Sequence, residues 1–190
     1  MNKVKFGLSN VHYAVKTISE EGEVSYSTPV AIPGAVNLEL DQEGEISPFY
    51  ADNIVYYSSS NNNGYSGSLE IADIPESFYK DVLGYTVDNN GALIENSDAI
   101  IKPFALMYEV KGDEKPRRAV LYNCKVTRPS IAAATEEDTS TPQTDTLDLT
   151  ATPREDNKNV KAIMTLSDTN TAAFNSFYTT VYEPSTVPSA

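Results

Sequence analysis

Nucleophilic and metal chemistry in proteins often depends on histidine, cysteine or serine side chains. In this chain histidine and cysteine are scarce, and one serine lies in a motif that resembles a catalytic one. It contains a single histidine, His12, and a single cysteine, Cys124. One imidazole excludes any site that needs two histidine ligands, and one thiol excludes an internal disulfide. The run Gly-Tyr-Ser-Gly-Ser around Ser66 resembles a nucleophile elbow, but Ser68 stands where that motif requires glycine. The sequence therefore predicts neither a serine hydrolase nor a histidine-rich metal centre.

The remaining candidates for chemistry are equally weak. Cys124 lies in an apparent strand, where a cysteine usually packs as a small hydrophobic residue. Glycine-rich phosphate loops, zinc spacings and dinucleotide fingerprints do not occur. With 27 acidic residues some pair of carboxylates could serve a hydrolase, but no spacing selects one. We therefore expect no enzyme activity, no catalytic residue, no metal and no cofactor, and a carboxylate-pair hydrolase stays an alternative that turnover would reveal.

The charge of the chain indicates which classes of partner it can bind. Fourteen Lys and Arg against 27 Asp and Glu give a net charge of −13, which repels DNA phosphates and anionic lipid. Residues 109–128 nevertheless hold six bases against three acids, whereas residues 136–156 hold seven acids against one base. Patches of opposite sign suit head-to-tail contacts between copies. We predict that the basic cluster Lys115, Arg117 and Arg118 lies at contacts between subunits.

The pattern of apolar residues predicts a mainly β protein. Short runs rich in Val, Ile, Thr and Tyr alternate with Gly, Pro, Asn and Asp, which is typical of an antiparallel β-sandwich or half-barrel. Residues 36–40 and 147–151 alternate polar and apolar side chains, as strands do when one sheet face is wet. The predicted strands are residues 12–18, 24–28, 36–40, 53–58, 68–72, 104–110, 119–128, 146–152 and 161–166.

Two helices and one tight turn complete the predicted elements. A helix at about 75–83 should flank the sheet, with Asp73 as its cap and Glu76 at the capping-box position. Aromatic residues at helical spacing predict a short C-terminal helix within about 171–182. Asn-Gly at 90–91, between two apolar runs, predicts a hairpin with a type I′ turn.

Two stretches exceed what a single domain spanning residues 1–190 needs. The segment at about 135–145 is polar and acidic, so we expect a mobile loop there. The long excursion at about 41–67 instead carries many aromatic residues, which indicates a binding role. We predict that it contacts another subunit through Phe49, Tyr50, Tyr56 and Tyr57.

Targeting signals are not evident in the sequence. No run approaches the roughly 20 apolar residues of a membrane helix, and the first residues lack the apolar core of a signal peptide. We expect synthesis in a cytoplasm and no membrane partner.

Several runs together resemble one protein family. They are Asn-Val-His-Tyr-Ala-Val at 10–15, Thr-Pro-Val-Ala-Ile-Pro-Gly-Ala-Val at 28–36, Ser-Pro-Phe-Tyr-Ala-Asp-Asn at 47–53, Phe-Tyr-Lys-Asp-Val-Leu-Gly-Tyr at 78–85, Phe-Ala-Leu at 104–106, Tyr-Asn-Cys-Lys-Val-Thr-Arg-Pro at 122–129 and Thr-Leu-Asp-Leu-Thr-Ala-Thr-Pro-Arg at 146–154. In order and spacing they resemble the major tail proteins, or tail tube subunits, of long-tailed, non-contractile bacteriophages of Gram-positive hosts. The resemblance spans nearly the whole chain.

This resemblance implies a structural protein of the virion tail. It implies hexameric rings whose inner strands close into one barrel and which stack into a hollow tube. DNA would pass through the lumen without specific binding. The implied partners are further copies of the chain, the tail initiator or distal tail protein, the tape measure protein and the tail terminator protein.

One alternative belongs to a different class. A secreted glycan-binding or adhesion β-sandwich module could use the aromatic residues of 49–65 as a sugar platform. Such a module would bind glycan saturably as a monomer, whereas a tube subunit would polymerise as its concentration rises.

Overall fold

The computed structural model describes residues 4–112, 114–135 and 142–185. Antiparallel strands dominate them, with two short α-helices and one 3₁₀ turn, so the predicted mainly β fold is confirmed. Most of the predicted mobile segment 135–145 lies outside the described residues. The elements are β1 Lys5–Ile18, β2 Val24–Tyr26, β3 Val30–Ala31, β4 Ala35–Glu43, β5 Ile46–Ala51, β6 Ile54–Ser60, β7 Gly64–Ile71, α1 Glu76–Asp81, β8 Thr86–Val87, β9 Leu93–Ile94, β10 Phe104–Gly112, β11 Arg117–Val126, β12 Asp145–Ala151, β13 Lys161–Thr165, α2 Thr171–Asn175 and the 3₁₀ turn Ser176–Tyr178.

Within the described residues, nine strands form one antiparallel sheet in the order β2-β1-β10-β11-β12-β7-β4. β3 also pairs with β1, and β13 pairs with the first half of β11 while β12 pairs with its second half. Strands β1 and β4 lie far apart in this order and yet contact each other. The sheet therefore curls on itself, and its concave face encloses a core.

The main core lies inside this curl. Alternate residues of β4, β7 and β12 point into it, and α1 covers one end through Phe78, which is completely buried. The Phe78 ring meets Tyr13 and Phe104 edge to face, with centroids 5.1 Å and 5.5 Å away. Both geometries are favourable for aromatic pairs. The short helix is thus held by burial of one large ring.

The start of α1 differs from the predicted capping box. Pro75 occupies the cap position with extended backbone angles, and no side chain caps the helix. Asp73 is exposed, and the carboxylate of Asp145 instead accepts a hydrogen bond from the Ile74 N–H at 3.2 Å. The capping prediction is wrong because the helix begins only after Pro75, which leaves Asp73 two residues before the cap. The bond to Asp145 holds the chain just ahead of the helix. The helix also ends two residues earlier than predicted.

Truncation of Phe78 tests this packing. We expect Phe78→Ala to lower the free energy of unfolding by about 3–5 kcal/mol, because it removes a fully buried ring and leaves a cavity. Urea denaturation would measure the change, with Lys80→Ala on the exposed side of the same helix as the control. A loss under about 1 kcal/mol would show that α1 does not contribute to the core.

A second core lies on the outer face of β1, β10 and β11. The C-terminal segment covers this face with Phe174, Phe177 and Val181, all of which are buried. The predicted C-terminal helix is confirmed in a shorter form, as α2 followed by a 3₁₀ turn. Both faces of the central strands are therefore covered.

Arg154 fastens the end of this segment to the sheet. Its buried guanidinium donates to both oxygens of Glu183, at 2.6 Å and 2.8 Å, and to the carboxylate of Asp156. Burial lowers the pKa of Arg154, but the hydrogen bonds to Asp156 and Glu183 outweigh it and hold that pKa above its ordinary range. Because removing one partner leaves a buried charge unpaired, this cluster fixes where the segment lies.

The turn at residues 88–92 also differs from the prediction. Gly91 has a positive φ of 85°, but Asn90 does not, so the loop is not a type I′ turn. The Asp88 carboxylate accepts the N–H groups of Asn90 and Ala92, both at 2.8 Å. These two bonds stabilise a longer loop between β8 and β9 than the Asn-Gly pair alone predicts.

Candidate functional surfaces

The residues that could do nucleophilic chemistry lie in packing contacts. The His12 ring stacks on Tyr178 with centroids 4.4 Å apart, and its Nδ1 lies 2.9 Å from the Asn10 carbonyl oxygen. Ser66 lies on β7 and donates its hydroxyl hydrogen bond to Glu43. In the described part of the chain, no group of three or more His, Cys, Asp or Glu residues is placed to hold a metal ion. None of the helices described there is long and apolar enough to cross a membrane.

Cys124 is completely buried on β11 among the residues of the main core. Burial raises the pKa of its thiol to about 12. We expect an aromatic disulfide reagent at pH 8 to react far more slowly with the folded protein than with the protein in urea, because the buried thiol is out of the reagent's reach and forms little thiolate. Comparable rates in the two states would contradict this burial.

Seven of the large apolar side chains that the described residues expose lie on one β-hairpin, which we call the arm (β5, β6 and the turn between them, residues 46–60). Its two strands pair only with each other among the described residues. Asp52 and Asn53 form its turn, with φ values of 52° and 62°, the pair of positive values that a type I′ turn requires. The arm occupies the middle of the predicted excursion 41–67, whose ends belong to β4 and β7 of the main sheet.

Every large apolar side chain of the arm is more than half exposed. Both faces of the ribbon carry them, because Phe49 pairs with Tyr57 and Tyr50 pairs with Val55 on successive rungs. A patch of this kind on a folded subunit marks an interaction surface. The exposed residues are Ile46, Phe49, Tyr50, Ile54, Val55, Tyr56 and Tyr57.

The arm continues the two strands of the main sheet beyond a bend. The N–H groups of Asn63 and Asn61 donate to the carbonyls of Glu43 and Glu45, at 2.9 Å and 3.1 Å. Gly44 lies at the bend with φ 151°, and a Cβ there would come within 2.0 Å of the Asn61 oxygen. The close approach requires glycine, so the sequence fixes the place where the arm leaves the subunit.

A second surface is the outer face of β4, β7 and β12. These strands alternate strictly in their middle parts: apolar residues such as Leu38, Leu69 and Leu147 face the core, and polar residues face solvent. The three strands contain no lysine or arginine. The carboxylates on this acidic face are Glu39, Asp41, Glu43, Glu70 and Asp148.

The acidic face also carries small polar side chains. Hydroxyl groups lie between its carboxylates, including those of Ser66, Ser68 and Thr150. Lys125, which pairs with Thr150 at the end of β11, adds a single base at its margin. Sequence reasoning recognised the alternation within 36–40 and 147–151, but it could not show that β7 brings the two strands together. The signal that would have found the face is the lack of bases in all three strands.

The structure separates the three residues of the predicted basic cluster. Lys115 is exposed in the turn between β10 and β11, and Arg117 is partly exposed. Arg118 is held inside the subunit: its Nε donates to Glu109 at 2.8 Å, and its guanidinium lies 4.0 Å above the Phe174 ring. Arg118 thus holds the C-terminal segment on the sheet. A role of these three residues and of the arm aromatics in subunit contacts stays a prediction.

Comparison with known proteins adds one finding to this geometry. A family model described as phage tail tube protein matches residues 1–190. None of the curated proteins matches the chain.

Proposed function

The chain belongs to the phage tail tube protein family, and on that premise we propose that its copies form hexameric rings that stack into a hollow tail tube for DNA ejection. A member of this family is a structural protein of the virion tail. The proposal of rings and a tube rests on one observation: the subunit has an apolar arm, an acidic face and open sheet edges. Each of these surfaces suits a different contact in a tube that conducts DNA.

The open edges support ring formation. Among the described residues, β4 pairs on one side only, with β7, and β2 and β3 pair only with β1. Such edges expose unpaired backbone N–H and C=O groups, which favour pairing with another chain. If the edges of neighbouring subunits meet, six curved sheets can close into one continuous barrel, and closure removes every free edge.

The arm supports stacking of rings. It extends beyond the sheet and exposes apolar residues on both faces, so it suits a contact with a neighbouring subunit better than a contact with water. We assign Phe49, Tyr50, Tyr56 and Tyr57 to that contact. Lys115, Arg117 and Arg118 are assigned to further subunit contacts, although Arg118 also binds Glu109 within its own subunit.

The acidic face supports the role of a conduit. Turned towards the lumen, it would present carboxylates and small hydroxyls to passing DNA, and weak repulsion would prevent the duplex from binding the wall. The concave face of the same strands is the filled core, so only this outer face is free to line a channel. The tape measure protein would occupy the lumen before DNA, and the initiator and terminator proteins would bind the two ends of the tube.

Electron microscopy of the concentrated protein, together with sedimentation over a range of concentrations, tests the proposal. We expect hollow rods whose amount rises steeply with concentration, or rods seeded by tail initiator complexes. A subunit that stays monomeric under both conditions and binds glycans saturably would instead support an adhesion module.

A further inference from the structure

The curled sheet leaves a cleft at its seam, where the first half of β1 faces β4. Its volume is about 460 Å³, within the range of roughly 300–1,000 Å³ that holds compact organic ligands. The residues that line it are mostly apolar or aromatic. They include Phe6, Leu8, Leu40, Tyr65 and Tyr108.

The rim of the cleft is positively charged. Among the described residues that line it, Lys161 is the only charged one and none is acidic. The Lys161 ammonium donates to the Tyr65 hydroxyl at 2.8 Å and lies 4.2 Å from the centre of the Tyr65 ring. Lys111 lies beside Gly7 at the same end of β1. A partner for this cleft should therefore be apolar, with a negative charge close to the apolar part.

The arm has this combination. Asp52 at its tip is the only charged residue in 46–60, and it is flanked by the arm aromatics. Phe49, Tyr50, Tyr56 and Tyr57 are 59–70% exposed, so together they offer roughly 500 Å² of the about 800 Å² that one partner buries in a typical interface. Because these side chains are exposed in the isolated subunit, they do not fill the cleft of their own chain.

We infer that the tip of the arm of one subunit inserts into the seam cleft of another copy. This inference rests on the proposed tube, and it names the site that receives the arm. The arm and the cleft are different surfaces, so the contact is heterologous and leaves each subunit with one free arm or one free cleft. Contacts of this type propagate into open-ended assemblies, as a tube requires.

Cross-linking between two cysteine variants tests the inference. Subunits with Ala51→Cys, at the tip of the arm and outside its aromatic residues, are mixed with subunits carrying Phe6→Cys, and the assembled tubes are treated with a short bismaleimide. The native Cys124 is buried and does not compete. The matched control is Ile18→Cys, at the opposite end of β1 and as exposed as Phe6, 50% against 54%. We expect heterodimers with Phe6→Cys and at least tenfold fewer with Ile18→Cys.

A second cysteine position in the cleft controls for the chance that replacing Phe6 itself disturbs the cleft. Asn37→Cys lies on the β4 side of the cleft and should give the same heterodimer. Equal cross-linking of the arm to Ile18→Cys, or none to either cleft position in intact tubes, would overturn the inference and leave the tube standing. If the unmodified protein forms no tubes, the proposed function fails first, and the inference fails with it.

A charge substitution supplies an independent readout. Phe6→Asp places a carboxylate at the rim, facing the Asp52 of the incoming arm, and we expect it to raise the critical concentration for tube formation at least tenfold. Ile18→Asp makes the same change on the same strand, away from the cleft. Circular dichroism verifies that both variants are folded, and an equal effect of both substitutions on assembly would overturn the inference.

Discussion

Subunits carrying Phe49→Ser and Tyr50→Ser together should remain folded and fail to form tubes. Both residues lie in the arm, 59% and 63% exposed, so the fold does not depend on them. In an assembled interface their exposed area of roughly 120 Å² each would contribute up to about 3 kcal/mol per residue. Loss of both would weaken each contact by about four orders of magnitude. Sedimentation and electron microscopy at matched concentrations measure the effect.

A matched control separates this effect from a general loss of surface hydrophobicity. Val87→Ser with Ile94→Ser removes two exposed apolar side chains from the hairpin formed by β8 and β9. We expect this variant to polymerise like the unmodified protein. Normal tubes from the Phe49 and Tyr50 double variant would show that the arm is not the stacking element.

Charge reversal on the acidic face should produce tubes that bind DNA, whereas we expect tubes of the unmodified protein not to bind it. Glu39→Lys, Asp41→Lys and Asp148→Lys together change each subunit by +6 charges on a face that has no base on its three strands. Because charges act over only about 8 Å at 0.15 M salt, the lining itself must carry the attraction. We expect the variant tubes to retain duplex DNA in a filter assay, with affinity that falls steeply as salt rises.

The control for this prediction has the same charge change elsewhere. Glu20→Lys, Glu21→Lys and Glu23→Lys also change each subunit by +6 charges, in and beside the exposed turn between β1 and β2. We expect these tubes to retain much less DNA at every salt concentration tested. If the two variants bind DNA alike, net charge alone governs binding, and the result would contradict the proposal that the acidic face lines the channel.

The sequence could predict the elements whose signals are local. Alternation identified β4 and β12, and the spacing of Phe174, Phe177 and Tyr178 identified the C-terminal helix, because one buried face imposes its period on the chain. The predicted cap of α1 lay two residues too early, since Pro75 and not Asp73 occupies the cap position. The chain ahead of the helix is held by Asp145, a residue far along the chain that no local signal indicates.

The arm shows what local signals miss. Its aromatic content indicated a binding role, and the strand predicted at 53–58 corresponds to β6, but β5 was not predicted because apolar residues lie on both faces of the ribbon and give no clear alternation there. The Asp-Asn turn at 52–53 and the close approach at Gly44 organise it into a ribbon. Neither carries a distinctive sequence signature.

Charge clusters were the least predictable feature. Arg117 and Arg118 are neighbours in sequence, but consecutive residues of a strand point to opposite faces. Arg118 consequently reaches Glu109 and the Phe174 ring, where sequence proximity had suggested a shared surface role with Lys115. The acidic face was missed for the opposite reason, because its carboxylates come from three strands that lie far apart in the sequence, from Glu39 on β4 to Asp148 on β12.

A structure of the assembled tube by electron cryo-microscopy would show which face of the subunit lines the channel. We expect the outer face of β4, β7 and β12 to line it, with Glu39, Asp41, Glu70 and Asp148 pointing into the lumen. Lys115 and Arg117 should lie at contacts between subunits. A channel lined by Lys115 and Arg117, with the acidic face turned outward, would contradict the account of a repelling conduit.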